Sequence, residues 1–160
     1  MGQHWNWAGN YEYRASNLHT PGSVNEVQEL AERSSTLKAL GSRHSFNDIA
    51  DTDDNLVSLA NLNRVVELDR NNSTVTVEGG IRYGELGVYL HEQGLAVPNM
   101  ASLPHISVVG ACATATHGSG DRNGSLATSV RAMEIVTAAG ELVRLSRDAD
   151  AELMDAAGRI

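Results

Sequence analysis

The sequence has one cysteine and no long apolar run. Cys112 alone can form neither an internal disulfide nor a multi-cysteine zinc site, so a disulfide-stapled secreted scaffold is excluded. No stretch approaches the roughly 18 apolar residues that a membrane-spanning helix needs, and the N-terminus lacks the apolar core of a signal peptide. We therefore expect a cytoplasmic protein with no membrane partner.

Basic residues are also scarce. Twelve Lys and Arg stand against 20 Asp and Glu, which gives a formal net charge of -8. This sign does not suit a surface that gathers phosphate backbones, so no nucleic-acid partner is expected. The 160 residues, 41% of them hydrophobic, suffice for one globular domain.

Hydrophobic periodicity and turn residues predict a mixed fold. Ser23 and Glu26 form a capping box that begins a helix ending at Ser34-Ser35, and a second helix over residues 82–93 is stopped by Gly94. Two hairpins are predicted, one over residues 64–68 and 74–77 and one over 131–137 and 141–145. Residues 5–14, 37–40, 56–62 and 95–97 are predicted as extended, and residues 148–157 as the start of a helix.

No Asp, Glu, Lys or Arg occurs from Gln93 to Gly120, although 20% of the chain is charged. One interpretation is a small-residue core helix over residues 106–113. The other is a segment that wraps a polar ligand and binds it through backbone N–H groups. The glycine loop over residues 41–45, which follows a strand as a phosphate-binding turn does, favours the ligand.

Several familiar sites are absent from the sequence. Neither G-x-G-x-x-G in the right context nor G-x-x-x-x-G-K-[ST] occurs, which argues against a nicotinamide Rossmann enzyme and a P-loop nucleotidase. No histidine pair has zinc-protease spacing, and no metal site is expected. Cys112 has small apolar neighbours and no nearby cation, so it is interpreted as a core residue.

Three segments, in order, resemble a known family. Residues 40–50 (LGSRHSFNDIA), 98–107 (PNMASLPHIS) and 113–120 (ATATHGSG) resemble the FAD-binding part of the vanillyl-alcohol-oxidase superfamily, which has a PCMH-type FAD-binding domain. The match is closest to the alditol oxidases, including xylitol oxidases, with the aldonolactone oxidases as the nearest relatives.

The resemblance implies a fold and an extent. It implies an α+β, PCMH-type FAD-binding domain over residues 1–160, containing the first α/β subdomain and part of the second. Full-length members continue into a separate substrate domain, so the chain is expected to be an N-terminal fragment, inactive by itself and without catalytic residues of its own.

The resemblance also implies residue roles. His44 corresponds to the histidine that is bonded covalently to the 8α-methyl carbon of the flavin. Ser102 corresponds to a serine near both flavin and substrate, and Ala115 stands where glycine is often found. The implied FAD-contacting residues are Leu40, Gly41, Ser42, Arg43, His44, Ser45, Phe46, Ser102, Ser107, Gly110, Thr114, Ala115, Thr116 and His117.

The function implied is FAD-dependent oxidation of a sugar-alcohol CH–OH group, with O2 as acceptor and H2O2 as product. The expected partners are a small polyol and O2, and a monomer is expected. Two alternatives stay open: an aldonolactone oxidase of the same superfamily, and a non-catalytic truncated FAD-binding fragment.

Overall fold

The computed structural model describes residues 5–157, and its first part is a small parallel sheet. Strands β1 (Asn17–His19), β2 (Leu37–Ala39) and β3 (Asn55–Val57) lie in the order β1-β3-β2. Because β2 ends at Ala39, the chain leaves the carboxyl edge of the sheet through residues 40–54. Parallel sheets bind their ligands at this edge.

Helix α1 (Val24–Arg33) connects β1 to β2 and begins at the predicted cap Ser23, although the Glu26 side chain bonds the N–H of Gly22 where a capping box would bond that of Ser23. The Ser23 hydroxyl accepts a hydrogen bond from the Glu26 N–H at 3.2 Å, and the Glu26 carboxylate accepts the Gly22 N–H at 2.9 Å. Leu30 and Ala31 form the buried face of the helix. The Ser23 contact satisfies an N–H group that the first helical turn otherwise leaves unpaired.

Both predicted hairpins are present. Strands β4 (Val65–Asp69) and β5 (Thr74–Val77) form the first, and β6 (Ala132–Val136) and β7 (Leu142–Ser146) form the second. The first hairpin packs on helix α2 (Tyr83–Glu92), where Val65, Leu68, Val75 and Val77 surround the buried Ile81, Leu86 and Leu90. Gly94 ends this helix region with a φ of 70°, as predicted.

The uncharged segment contains helix α3 (Val108–Ala113). A 3₁₀ helix (Leu126–Ser129) follows that segment, and helix α4 (Ala151–Ala157) follows β7. Tyr83, Ile106, Ala111 and Leu126 form a buried cluster. The segment is therefore partly core, as one interpretation holds, but the helix is only six residues long. Most of the uncharged residues lie outside it.

The strand predicted over residues 5–14 is wrong. This segment folds back on itself through a single antiparallel bridge between Trp5 and Glu12, and Gly9 has a φ of 70°. The Asn6 side-chain oxygen accepts the N–H groups of Asn10 and Tyr11, at 3.1 and 3.2 Å. A side chain that bonds nearby backbone in this way favours a turn over a sheet ladder.

Other extended predictions are only partly right. The strand predicted over residues 56–62 stops at Val57, because Leu59 to Leu62 form a turn closed by a 2.8 Å hydrogen bond. Residues 95–97 form no strand. The three-residue strand β1 and the 3₁₀ helix went unpredicted, since neither is long enough to show a periodicity.

A buried carboxylate ties the N-terminal turn to the loop that leaves the sheet. The Asp51 side chain is fully buried; its carboxylate accepts hydrogen bonds from the Tyr11 hydroxyl at 2.6 Å, and from the Arg14 N–H and Nε at 3.1 Å. Burial raises the pKa of the Asp51 carboxyl, but the bonds from Tyr11 and Arg14 outweigh it, and the pKa falls below its ordinary value.

Replacing this carboxylate should destabilise the fold. We expect Asp51→Ala to lower the free energy of unfolding by about 2 kcal/mol, because Tyr11 and Arg14 lose a charged acceptor. The exposed Asp53, which lies 3.5 Å from the same Arg14, provides the control Asp53→Ala. Urea unfolding at neutral pH measures both, and equal losses would contradict the prediction.

The same group gives a pH dependence with a definite sign. A lowered folded-state pKa means that the stability from Asp51 is present above the unfolded pKa of about 4 and is lost as the pH falls through the folded value. Asp51→Ala should therefore flatten this acid limb of the stability curve.

Candidate cofactor site

Hydrogen bonds from the N-terminal turn over residues 5–14 hold the loop over residues 41–45. The Trp7 N–H donates to the Arg43 carbonyl at 2.9 Å, and the Asn6 side-chain amide donates to the Ser45 carbonyl at 2.9 Å. Asn6 is only 4% exposed. The buried Asn6 amide thus links the N-terminal turn to the loop.

The loop backbone is strained at Arg43, whose φ is 63°. A side-chain-bearing residue in this left-handed region costs about 1–2 kcal/mol. The hydrogen bonds on either side, from Trp7 and Asn6, hold the chain in this conformation. Strain of this kind concentrates at ligand-binding positions. Here the strained residue immediately precedes His44 and so sets the path of the backbone into it.

Two glycine segments converge on the Ser107 side chain. A Cβ atom added to Gly41 would lie 3.0 Å from the Ser107 Oγ, and one added to Gly110 would lie 2.6 Å from it. The Ser42 hydroxyl accepts the Ser107 N–H at 3.2 Å. The Ser107 Oγ is buried and has no hydrogen-bond partner within residues 5–157. An unpaired buried hydroxyl between two glycines fits a site for a polar group such as a diphosphate.

His44 lies in a cluster of three rings with Trp7 and His105, here called the imidazole cluster. The Trp7 and His44 ring centroids are 4.5 Å apart in a stacked arrangement, and His105 lies 4.5 Å from His44 and 5.3 Å from Trp7. In the described part of the chain, the Nε2 atoms of both histidines are buried and lack hydrogen-bond partners. Two buried, unbonded imidazole nitrogens thus belong to rings whose centroids are 4.5 Å apart.

The imidazole cluster keeps His44 uncharged. Burial lowers the pKa of His44, and the neighbouring His105 lowers it further. The ring is therefore neutral at pH 7, as the expected covalent chemistry requires.

A cleft of about 350 Å³ opens beside the cluster. Among residues 5–157, its charged lining residues are Arg43 and Arg82, and none of its lining residues is a carboxylate. The cleft is therefore suited to a neutral or anionic group. Its lining residues are Trp5, Asn6, Trp7, Ser42, Arg43, Arg82 and His105.

The segment after α3 is hydrogen-bonded back to that helix. The Thr114 hydroxyl donates to the Gly110 carbonyl at 2.9 Å and lies 3.1 Å from the Thr116 hydroxyl. Ala115 between them has a φ of 51°, which explains why glycine suits this position. The His117 Nδ1 lies 3.0 Å from the Gly118 carbonyl.

The structure separates the sequence-predicted residues into groups. Ser42, Arg43 and His44 lie together at the cleft and the imidazole cluster, while Gly41, Ser107 and Gly110 meet beside them. Thr114, Thr116 and His117 lie along the segment beyond α3. Leu40 is a core residue packed with Tyr13, Ala15 and Leu56, whereas Phe46 and Ser102 are exposed.

Sequence reasoning missed Asn6, Trp7, Arg82 and His105 as site residues. Asn6 and Trp7 stand in a segment interpreted as a strand, and Arg82 in the first turn of a helix, so their long-range contacts gave no local signal. His105 had a usable signal: it is one of two histidines in a segment without charged residues.

Within residues 5–157 there is neither a metal-ligand cluster nor a membrane-spanning helix. No group of three or more His, Cys, Asp or Glu there is arranged to hold a metal ion. None of the helices in this range is both long and apolar enough to cross a membrane.

Comparison with protein families assigns the chain to a class. Residues 16–146 match a family model described as an FAD binding domain. The chain belongs to this family, and FAD is its cofactor. The matched range contains the loop, the imidazole-cluster histidines and both glycine segments.

Curated relatives include sugar-alcohol and lactone enzymes. The chain is 49% identical over 144 residues to an alditol oxidase of Streptomyces sp. (strain IKD472 / FERM P-14339), which covers 88% of the chain and 35% of that protein. It is 34% identical to an L-gulonolactone oxidase of Scyliorhinus torazame, over 94% of the chain and 35% of that protein. The chain thus spans about a third of the length of these relatives.

Solved structures share the fold. A xylooligosaccharide oxidase from Myceliophthora thermophila C1, in complex with xylobiose, superposes with a TM-score of 0.85 at 20% identity, over 96% of the chain and 34% of that protein. A 6-hydroxy-D-nicotine oxidase from Arthrobacter nicotinovorans gives 0.83 at 21% identity, with the same coverage of both chains. The α+β, PCMH-type fold expected from the sequence is confirmed.

Ala115 allows a test of the strained segment. We expect Ala115→Gly to raise the free energy of unfolding by about 0.5–1 kcal/mol, because glycine adopts a φ of 51° without steric cost. The control is Ala113→Gly at the last residue of α3, which should lose about 0.5–1 kcal/mol. Chemical denaturation measures both changes, and a loss of stability at both positions would contradict the assignment of strain to Ala115.

Proposed function

We propose that this chain is the FAD-holding part of an oxidase that acts on a CH–OH group of a sugar alcohol, with O2 as acceptor and H2O2 as product. The observation that carries the proposal is the neutral His44 beside two converging glycine segments, in a family of FAD-binding domains. The 49% identity to an alditol oxidase favours the substrate class.

We further propose that FAD is bonded covalently to His44, through the 8α-methyl carbon of the flavin. Such an attachment would replace one methyl C–H bond and the imidazole N–H bond by a C–N bond, and bound FAD with O2 would supply the two-electron oxidation, with H2O2 as the product. A neutral imidazole supports this chemistry, because only the uncharged ring has a nitrogen lone pair available.

The remaining residues have proposed binding roles. Backbone groups of residues 41–45 and the segment containing Ser107, Gly110, Thr114, Ala115, Thr116 and His117 hold the diphosphate, where the unpaired Ser107 hydroxyl is the most direct support. Ser102 lies near flavin and substrate in this proposal. When bound, FAD supplies the hydride acceptor, and the protein residues position and polarise the reacting groups.

Two other functions are consistent with particular observations. The 34% identity to an L-gulonolactone oxidase favours an aldonolactone as the second candidate substrate. A non-catalytic FAD-binding piece is the other alternative, because the chain spans about a third of its relatives. We propose that residues 1–160 correspond to the first part of the FAD-binding domain and that the substrate groups belong to the rest of such a protein.

We also propose a monomer in the cytoplasm. The single, half-buried Cys112 supports a reducing compartment, because it has no cysteine partner in the sequence. Sedimentation of the purified protein tests the monomer.

His44 determines whether the flavin is covalently held. In protein expressed from its complete coding sequence, we expect flavin to remain in the acid-precipitated pellet and on a tryptic peptide containing His44. His44→Ala should remove all covalent flavin while leaving weaker, dissociable FAD. The matched control His91→Ala, at an exposed histidine of α2, should keep the covalent flavin. A wild-type pellet without flavin would overturn the linkage.

Gly110 tests the diphosphate cradle. We expect Gly110→Val to reduce the flavin content at least about tenfold, since its side chain would occupy the space at Ser107. Gly22→Val is the control, because a Cβ atom at Gly22 meets nothing within 4 Å. Absorbance of purified protein gives the flavin content, and thermal melts check folding. Normal flavin content in a folded Gly110→Val protein would show that the segment only fills the core.

Substrate class is tested by peroxide production. The complete protein should form H2O2 with xylitol or sorbitol faster than with an aldonolactone. The reverse order would favour the lactone function, and no peroxide from either class, with FAD bound, would favour the non-catalytic alternative.

A further inference from the structure

Arg82 lines the cleft, but the proposed function gives it no role. It is the N-cap residue of helix α2, and it is exposed. No ion pair between residues 5 and 157 includes the Arg82 guanidinium. The nearest acidic residue along the chain, Glu85, uses its carboxylate to accept the backbone N–H of Arg82 at 2.9 Å. The cleft therefore contains a guanidinium without a carboxylate partner.

Backbone pairing fixes Arg82 next to Ser107. The two residues form an antiparallel bridge, in which the Val108 N–H donates to the Ile81 carbonyl at 2.9 Å. Ser107 in turn donates its own N–H to the Ser42 hydroxyl at 3.2 Å. Because these contacts start from the backbone, they place Arg82 beside Ser107 whatever rotamer its long side chain adopts. Two residues of the cleft, Arg82 and Ser42, thus flank Ser107.

The Ser107 hydroxyl is a second, independent sign of a ligand at this place. Ser107 is only 6% exposed, and its Oγ has no hydrogen-bond partner in the described part of the chain. A buried hydroxyl is normally paired, and leaving it unpaired costs stability. A phosphate oxygen suits both groups, since a hydroxyl and a guanidinium are both hydrogen-bond donors and the guanidinium adds a positive charge.

The N–H groups at the start of α2 are already bonded within the protein. The Tyr83 N–H donates to the Ile106 carbonyl at 3.0 Å, and the Gly84 N–H donates to the Pro104 carbonyl at 2.6 Å. These bonds hold the first turn of the helix against the segment that contains Ser107. The guanidinium is therefore the group through which this end of α2 can bind an anion.

We propose that Arg82 binds the diphosphate of FAD with its guanidinium, beside the Ser107 hydroxyl, and thereby makes the site select flavins that carry phosphate. This inference rests on the proposed placement of the diphosphate at the glycine segments. The backbone N–H groups and hydroxyls proposed to hold it are neutral, whereas the diphosphate is negatively charged. Arg82 supplies a positive charge, and its planar fork of donors matches the geometry of phosphate oxygens.

The test measures reversible flavin affinity in a protein that already carries His44→Ala, so that covalent attachment at His44 does not interfere. Apo-protein from the complete coding sequence is titrated with FAD and with riboflavin, which has no phosphate, and quenching of flavin fluorescence gives both dissociation constants. We expect Arg82→Gln to weaken FAD binding about 30-fold, the range of a lost hydrogen bond to a charged group. Riboflavin affinity should stay within about twofold, since riboflavin has nothing for the guanidinium to bind.

A conservative variant and a salt series separate charge from fold. Arg82→Lys should weaken FAD binding by only about fivefold, because lysine keeps the charge and loses the fork. Raising the salt concentration from about 0.05 M to about 0.5 M should weaken FAD binding in the parent protein, and less so in Arg82→Gln, because salt screens the charge pair. The salt series needs FAD alone, so it decides the question even where riboflavin binds too weakly to measure.

Arg33→Gln is the matched control. It makes the same change in net charge at an exposed arginine at the end of α1, just before β2 begins and so toward the sheet edge opposite the loop over residues 41–45. FAD affinity should stay within about twofold in this variant, because a screened, distant charge contributes little.

Each outcome decides a different statement. Unchanged FAD affinity in Arg82→Gln overturns the role of Arg82. An equal loss for riboflavin also overturns it, because the residue then only supports the fold, and an equal loss in Arg33→Gln overturns it in favour of net charge alone. Failure of the parent protein to bind either flavin overturns the proposed function instead, so the two failures are distinguishable.

Discussion

The close approach of Gly41 and Gly110 around the Ser107 hydroxyl is the contact on which the site depends. One glycine follows strand β2 and the other lies in helix α3, so the contact joins the parallel sheet to the uncharged segment. A Cβ atom at either position would approach the Ser107 Oγ within 3.0 Å or less. The absence of side-chain volume at both positions lets the two backbones approach each other closely.

The contact between Gly41 and Gly110 positions one side of the proposed site, and the N-terminal turn over residues 5–14 positions the other side. Asn6 and Trp7 hold the carbonyls of Ser45 and Arg43, and Asp51 holds Tyr11 beneath them. The Asn6 side chain is buried, and the Trp7 N–H bonds the Arg43 carbonyl directly. These contacts hold the backbone of Arg43 in its strained conformation. Support of this kind aims the following imidazole and keeps it away from water, which is the cause of its lowered pKa.

Local signals predicted the elements whose stabilising contacts lie close in sequence. The helix N-cap at Ser23, the stop at Gly94 and both hairpins arise within a few residues, and all were predicted. The turn over residues 5–14 was not, because Asn6 owes its conformation partly to the Ser45 carbonyl, 39 residues away. His105 was named as part of a motif but not as a partner of His44, since only the fold brings the two rings together.

The chain carries a net negative charge, whereas the charged residues that line the cleft within residues 5–157 are two arginines. A net charge of -8 argues against a long polyanion, because such a partner samples the entire surface. A single diphosphate in the proposed site would sample only the cleft and the glycine segments, and the charged residues that line the cleft within residues 5–157 are Arg43 and Arg82. The acidic residues nearest to other arginines are already paired, as Glu78 is with Arg64 at 2.7 Å. An acidic protein can thus hold an anionic cofactor, since short-range contacts in a partly desolvated cleft outweigh a screened distant charge.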